Sequence, residues 1–172
     1  MKKFLLLSLF VASLLADELM FLPYEAQKAQ KELIAWIDRA HRSIDVAMYS
    51  FTKRELAKHL RNAAKRGVKI RVLLDYEQNM KDRFSQIGYL AKYRNIEVYT
   101  IRGKYAKHGE FYGKMHIKLA IIDGKRLVFG SANWSNSAFK RNYELIYFME
   151  DYAKAKKAKK YFEAMVRKAQ EY

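Results

Sequence analysis

The segment Met115-His116-Ile117-Lys118-Leu119-Ala120-Ile121-Ile122-Asp123-Gly124, continued by Arg126 to Phe129 and then by Gly130-Ser131-Ala132-Asn133-Trp134-Ser135, constrains the fold more than any other. Two apolar runs separated by an Asp-Gly pair read as the strands of a hairpin. Residues two apart on a strand share a face, so His116 and Lys118 project together. The returning strand carries Ser131 and Asn133 back beside them. A nucleophile, a fixed cation and two hydrogen-bonding side chains thus converge from two short segments, as the chemistry of a phosphate ester requires. A lone His on a strand is ordinarily a core residue with its hydrogen bonds met, but that reading leaves Lys118, Ser131 and Asn133 unexplained.

The rest of the chain alternates strand and helix patterns. Tyr24 to His41 reads as a helix after Pro23, with Leu33, Ile34, Trp36, Ile37 and Ala40 near helical spacing. Ile44 to Ser50 alternates as a strand. Thr52 to Arg66 reads as a helix opened by a capping Thr, with Glu55 three residues on, and closed at Gly67. Val68 to Asp75 is a strand, Glu77 to Tyr93 a helix, Ile96 to Thr100 a strand, Tyr143 to Met149 a last strand, and Asp151 to Tyr172 a closing helix. The pattern predicts an α/β fold, a mixed sheet flanked by helices on both faces. No internal repeat is visible.

The 172 residues suit a single domain, and 51% hydrophobic content can supply its core. Thirty-four Lys and Arg against 18 Asp and Glu give a net charge of +16, which favours anionic partners such as nucleic acid or acidic lipid without choosing between them. With no cysteine there is neither a disulfide framework nor a thiolate metal site. Lys2-Lys3 ahead of the apolar run Phe4 to Leu15 resembles a secretory leader, too short to span a bilayer before Asp17 and Glu18. Residues 1–22 are therefore expected to be a signal peptide or an uncleaved membrane anchor, residues 23–172 the folded domain, and the location the periplasm or cell envelope.

His116, Lys118 and Asp123 have the HxKxxxxD spacing, and Gly130, Ser131 and Asn133 the trailing GSxN, of the phospholipase D superfamily. The layout upstream, from Ser43 to Phe51 and Gly67 to Asp75, resembles that superfamily's small bacterial nuclease branch. The family uses two facing copies of the motif, and this chain has one, so the resemblance implies a homodimer with a shared cleft. It implies that one neutral His116 attacks phosphorus while its protonated counterpart serves the leaving oxygen. An imidazole with an unperturbed pKa of about 6.5 can take either part. Lys118 and Asn133 would hold the nonbridging oxygens in place of a metal ion, with Ser131 adding a hydrogen bond. Glu144, by resemblance, bonds the far nitrogen of His116 and sets its tautomer. Asp123, five residues beyond Lys118 at the turn, is expected to orient the hairpin.

No cofactor or metal is implied: His41, His59, His108 and His116 are scattered and lack a close set of carboxylates. The segment from Gly103 to Lys114 interleaves Lys104, Lys107 and Lys114 with Tyr105, Phe111 and Tyr112, and reads either as a grip on phosphates and bases or as a solvated loop. Trp134 and Phe139 read as core aromatics or as packing between subunits. Lys154, Lys156, Lys157, Lys159 and Lys160 read as a solvated helix face or a contact to a membrane or DNA. Three functions remain open: a metal-independent nuclease on DNA or RNA favouring single strands, a phospholipase on anionic phospholipids, and a nucleic-acid-binding protein without catalysis.

Overall fold

The computed structural model describes residues 17–172, so the first 16 residues of the leader or anchor expected at 1–22 lie outside the described residues. In chain order the elements are β1 (Glu18–Leu22), α1 (Ala26–Asp38), β2 (Ser43–Met48), α2 (Arg54–Lys65), β3 (Lys69–Asp75), α3 (Tyr76–Lys81), α4 (Ile87–Leu90) and β4 (Ile96–Ile101). There follow β5 (Tyr105–Ala106), β6 (Phe111–Tyr112), β7 (Lys118–Ile122), β8 (Arg126–Gly130), α5 (Asn136–Lys140), β9 (Glu144–Glu150), α6 (Tyr152–Val166) and β10 (Gln170–Glu171).

Eight strands form one mixed sheet in the order β1-β9-β8-β7-β2-β3-β4-β10, and β5 and β6 pair separately. β2, β3 and β4 are parallel, and the hairpin of β7 and β8 enters antiparallel beside β2. Alternation along β2 sets the two cores. Ile44, Val46 and Met48 join Leu33 and Trp36 of α1 and Leu56 and Leu60 of α2 on one face. Ala47 lies on the other face with Leu73, Ile121, Leu127 and Phe162 of α6. The expected α/β class, with helices on both faces, is the architecture observed. Asp45 also points under α6, where it meets its cross-strand partner Arg71 at 2.7 Å, and Arg71 in turn bonds Glu163 at 2.8 and 3.0 Å. A buried charge is tolerated here because it is paired on every side.

Four boundaries differ from expectation. Ordered structure begins before residue 23, because Glu18–Leu22 pairs with residues 144–148 of β9 and buries Met20 and Leu22. The helix expected from Glu77 to Tyr93 is broken after Lys81. Asp82 accepts from the Phe84 N–H through its side chain at 2.8 Å and from the Ser85 N–H through its carbonyl at 2.9 Å, a turn that competes with the helix. Thr52 does not cap α2. Its N–H and that of Lys53 both donate to the Trp134 carbonyl, at 3.0 and 2.8 Å, while Glu55 is taken by Gln30. The last helix stops at Val166, and Gln170–Glu171 adds an edge strand against β4. Among the described residues no helix is long and apolar enough to cross a membrane.

Candidate active site

The sheet registers gather the candidate residues at one edge. β7 starts at Lys118 opposite Met48 at the end of β2, β8 ends at Gly130 opposite Ile146, and β9 starts at Glu144. His116 is exposed there, and the ammonium of buried Lys118 lies 3.0 Å from each of its ring nitrogens. Lys118 also donates to the His116 carbonyl at 2.9 Å. Burial pushes the Lys118 ammonium below its ordinary pKa, against the opposing pull of the Glu144 charge. A desolvated cation a short step from an accessible imidazole is well placed to receive a nonbridging phosphate oxygen.

Sequence reasoning missed the supports. Tyr49 stands edge-to-face with His116, ring centres 4.6 Å apart, and the Lys118 and Lys114 ammonium groups lie 5.3 and 5.6 Å from its ring centre. Asp75, at the end of β3, accepts from the Met115 N–H at 2.8 Å with one oxygen and caps α3 through Gln78 N–H at 3.0 Å with the other. Buried Asn79 donates to the Tyr49 and Asp75 carbonyls at 2.7 and 2.9 Å, pinning β2 and β3 where they flank the site. The signal for each was only its place at a strand's carboxyl end, where sites gather in open α/β sheets.

The loop after β8 is held by a close approach. A Cβ on Gly130 would lie 2.3 Å from the Leu145 carbonyl oxygen, so only glycine lets β8 close on β9 at this point. Ser131 is then locked: its N–H donates to the Leu145 carbonyl, and its hydroxyl accepts from the Leu145 N–H at 3.1 Å and donates to Glu144. The Asn133 side-chain oxygen accepts from the Ser50 N–H at 3.2 Å, which leaves its amide nitrogen as the group able to donate outward.

Glu144 and Asp123 each have partners of their own within the chain. Glu144, expected on the far nitrogen of His116, bonds Ser131 and, at 3.3 Å, Asn142, while its charge acts on Lys118. Asp123, expected to orient the hairpin, sits at the opposite end of β7 from His116. There, at φ 54°, it forms the hairpin turn with Gly124. It accepts from the backbone N–H groups of His41, Arg42 and Ser43 at 2.8–3.2 Å and from Arg126 at 3.0 Å. Its expected orienting role has this physical content. Trp134 and Phe139 are buried at 2% and 1% exposure, and belong to the core.

A cavity of about 590 Å³ opens beside His116. Of the candidate loop residues, Lys104, Tyr112 and Lys114 line it, and Tyr105, Lys107 and Phe111 do not. Tyr105 instead lies against Tyr112, ring centres 5.0 Å apart, and Phe111 is exposed on the outside of the β5–β6 ribbon. Tyr76, Arg102 and Lys168 line it without having been anticipated. On α6, Lys154 pairs with Asp151 and Lys159 reaches Asp45 at 3.9 Å, while Lys156, Lys157 and Lys160 are exposed. Among the described residues no group of three or more His, Asp or Glu side chains is placed to share a metal ion.

The chain matches a family model described as "Cardiolipin synthase, PLD-like domain" over residues 33–166. Mitochondrial cardiolipin hydrolase of Mus musculus is 32% identical over 130 residues, covering 76% of this chain and 54% of that protein. Phospholipase D of Rickettsia felis is 36% identical over 115 residues, 67% of this chain and 52% of that protein. The chain spans about half the length of these curated relatives. Among solved structures, NucT from Helicobacter pylori superposes with a TM-score of 0.88 at 41% identity, over 91% of this chain and 99% of that one. Nuc from Salmonella typhimurium, a phospholipase D family member, superposes with a TM-score of 0.77 at 24% identity, over 91% and 97%, a likeness of fold alone.

Proposed function

The chain belongs to the phospholipase D superfamily, and on that premise we propose that it is a metal-independent phosphodiesterase that cuts DNA or RNA, with single strands favoured. The observation that carries this reading is the exposed His116 with Lys118 at 3.0 Å, beside a cavity lined by four Lys and Arg and by no carboxylate. The likeness to NucT at 41% identity supports the nuclease branch. A second reading, a phospholipase acting on anionic phospholipids, is supported by the names of the curated relatives.

In the proposed reaction a His116 nitrogen lone pair attacks phosphorus, and the P–O bond to the leaving oxygen breaks as a second, protonated His116 donates its proton there. Water then attacks the phosphohistidine, the second imidazole takes the water's proton, and His116 leaves phosphorus with its electron pair. Lys118 and the Asn133 amide oppose the charge on the nonbridging oxygens. Each chain brings one imidazole to the site: His59 is engaged by Asp38 at 2.8 Å, His41 lies by the Asp123 turn, and His108 is not among the residues lining the cavity beside His116. A second copy of the chain therefore supplies the other. Leu19 and Phe21 of β1, Leu145 of β9 and Phe129 of β8 are exposed apolar side chains on the neighbouring strands, a surface suited to that copy. Export to the periplasm or envelope, with the first 16 residues as leader or anchor, completes the proposal.

The test is a parallel assay of the purified chain on single-stranded DNA, duplex DNA, RNA and cardiolipin vesicles. The proposal expects cutting of the single strands, at least several-fold faster than the duplex. Vesicle hydrolysis with no nucleic acid cut would replace it with the phospholipase reading.

A further inference from the structure

The cavity beside His116 is built from separate parts of the chain: Tyr76 of α3, residues 100–104 at and just after the end of β4, Tyr112 of β6, residues 114–117 ahead of β7, and the end of α6 with Gln170 of β10. Its volume, about 590 Å³, lies in the range of about 300–1,000 Å³ typical of sites for small organic groups. Its cations are Arg102, Lys104, Lys114 and Lys168, and of these only Arg102 pairs with a carboxylate, Glu77 at 3.1 Å, among the described residues. The Arg102 guanidinium lies 3.5 Å from the centre of the Tyr76 ring and 5.5 Å from that of Tyr112. Stacked on the Tyr76 ring and tied at Nε, it is a fixed planar cation rather than a swinging one. The wall that carries Tyr112 is closed at its root, where Gly103 N–H donates to the Gly113 carbonyl at 2.7 Å and Gly113 N–H to the Lys104 carbonyl at 2.9 Å. A Cβ on Gly103 would meet the Gly113 backbone at 2.4 Å, so that root can close only with glycine.

Resting on the nuclease reading, we infer that this cavity is a subsite for the nucleotide next to the scissile phosphate, in which Tyr112 presents its ring to the base and Arg102, held flat on Tyr76, and Lys168 hold the adjacent phosphate. Cations alone would serve a lipid headgroup equally well. The Tyr112 ring, 54% exposed, adds what an aromatic base uses and a headgroup does not. A base paired in a duplex cannot reach it, which ties the subsite to the preference for single strands.

The test follows cutting at every bond of an end-labelled single-stranded oligonucleotide in which one nucleotide is replaced by an abasic unit. The subsite predicts that cutting falls about tenfold at bonds next to the lesion and is unchanged elsewhere in the same molecule, which serves as its own control. Tyr112→Ala should flatten that local deficit, and Arg102→Gln should raise KM for the intact strand more than it lowers kcat. Should either variant fail to fold, the wild-type pattern decides alone. Cutting that ignores the lesion overturns the subsite and leaves the nuclease reading standing. Hydrolysis of cardiolipin vesicles or bis-p-nitrophenyl phosphate with no oligonucleotide cut at all overturns both.

Discussion

Asp123 shows how a motif residue can be essential to a site it never touches. Burial raises the pKa of its carboxyl, but the N–H groups of Arg42, Ser43 and His41 and the Arg126 charge outweigh burial and hold it below the ordinary carboxylate range. A depressed folded-state pKa means that the stability Asp123 contributes is complete above its unfolded pKa of about 4 and is lost as pH falls through the folded value. Asp123→Asn should therefore lower stability by about 2–3 kcal/mol at neutral pH, and the gap from wild type should narrow in urea melts taken below about pH 4. A gap constant with pH would contradict this account of the turn. His116 and Lys118 were legible from their spacing because a strand's period of two fixes which side chains share a face. Tyr49 and Asp75 were not, since they reach the site only through the order of strands in the sheet. The bonding of Glu144 to Ser131 depends on which neighbour its half-buried carboxylate meets first, and spacing carries no such information.

At the scale of elements, the hairpin of β7 and β8 was read correctly because Asp-Gly encodes the left-handed turn its tip requires, with φ of 54° and 71°. The start of α2 was misread because a tertiary contact, the Trp134 carbonyl, takes the Thr52 N–H that the Glu55 side chain of a capping box would have taken. β1 was hidden by its apolar composition, which also suits the tail of a leader. The glycine that ends β8 carries its own prediction. Gly130→Ala must push β8 away from the Leu145 carbonyl, so it should cost about 1–3 kcal/mol and lower turnover at least tenfold by displacing Ser131 and Asn133. Far-UV circular dichroism close to wild type, beside a lowered Tm and the lost activity, is the expected signature. Wild-type activity in that variant would show that the closure of β8 on β9 does not position the site.

For the whole molecule, the α/β class followed from alternating patterns, whereas the sheet order, with the hairpin inserted beside β2, rests on contacts between distant segments. The proposed assembly is testable at this scale. Phe21→Asp places a charge on the exposed strip of β1 and should convert a dimer to a monomer in sedimentation, with loss of turnover. A mixed dimer of wild-type and His116→Ala chains should be nearly inactive if both imidazoles serve one phosphate, whereas half activity would mean independent sites. The central claim is that His116 and Lys118 do the work of a metal ion. It is tested most directly by timing the cutting of a single-stranded oligonucleotide in excess EDTA, with wild type and His116→Ala side by side. The account predicts a wild-type rate within about twofold of that without chelator and a loss of about a thousandfold or more in the variant. Wild-type activity abolished by EDTA and restored by magnesium, or cutting that persists without His116, would contradict it.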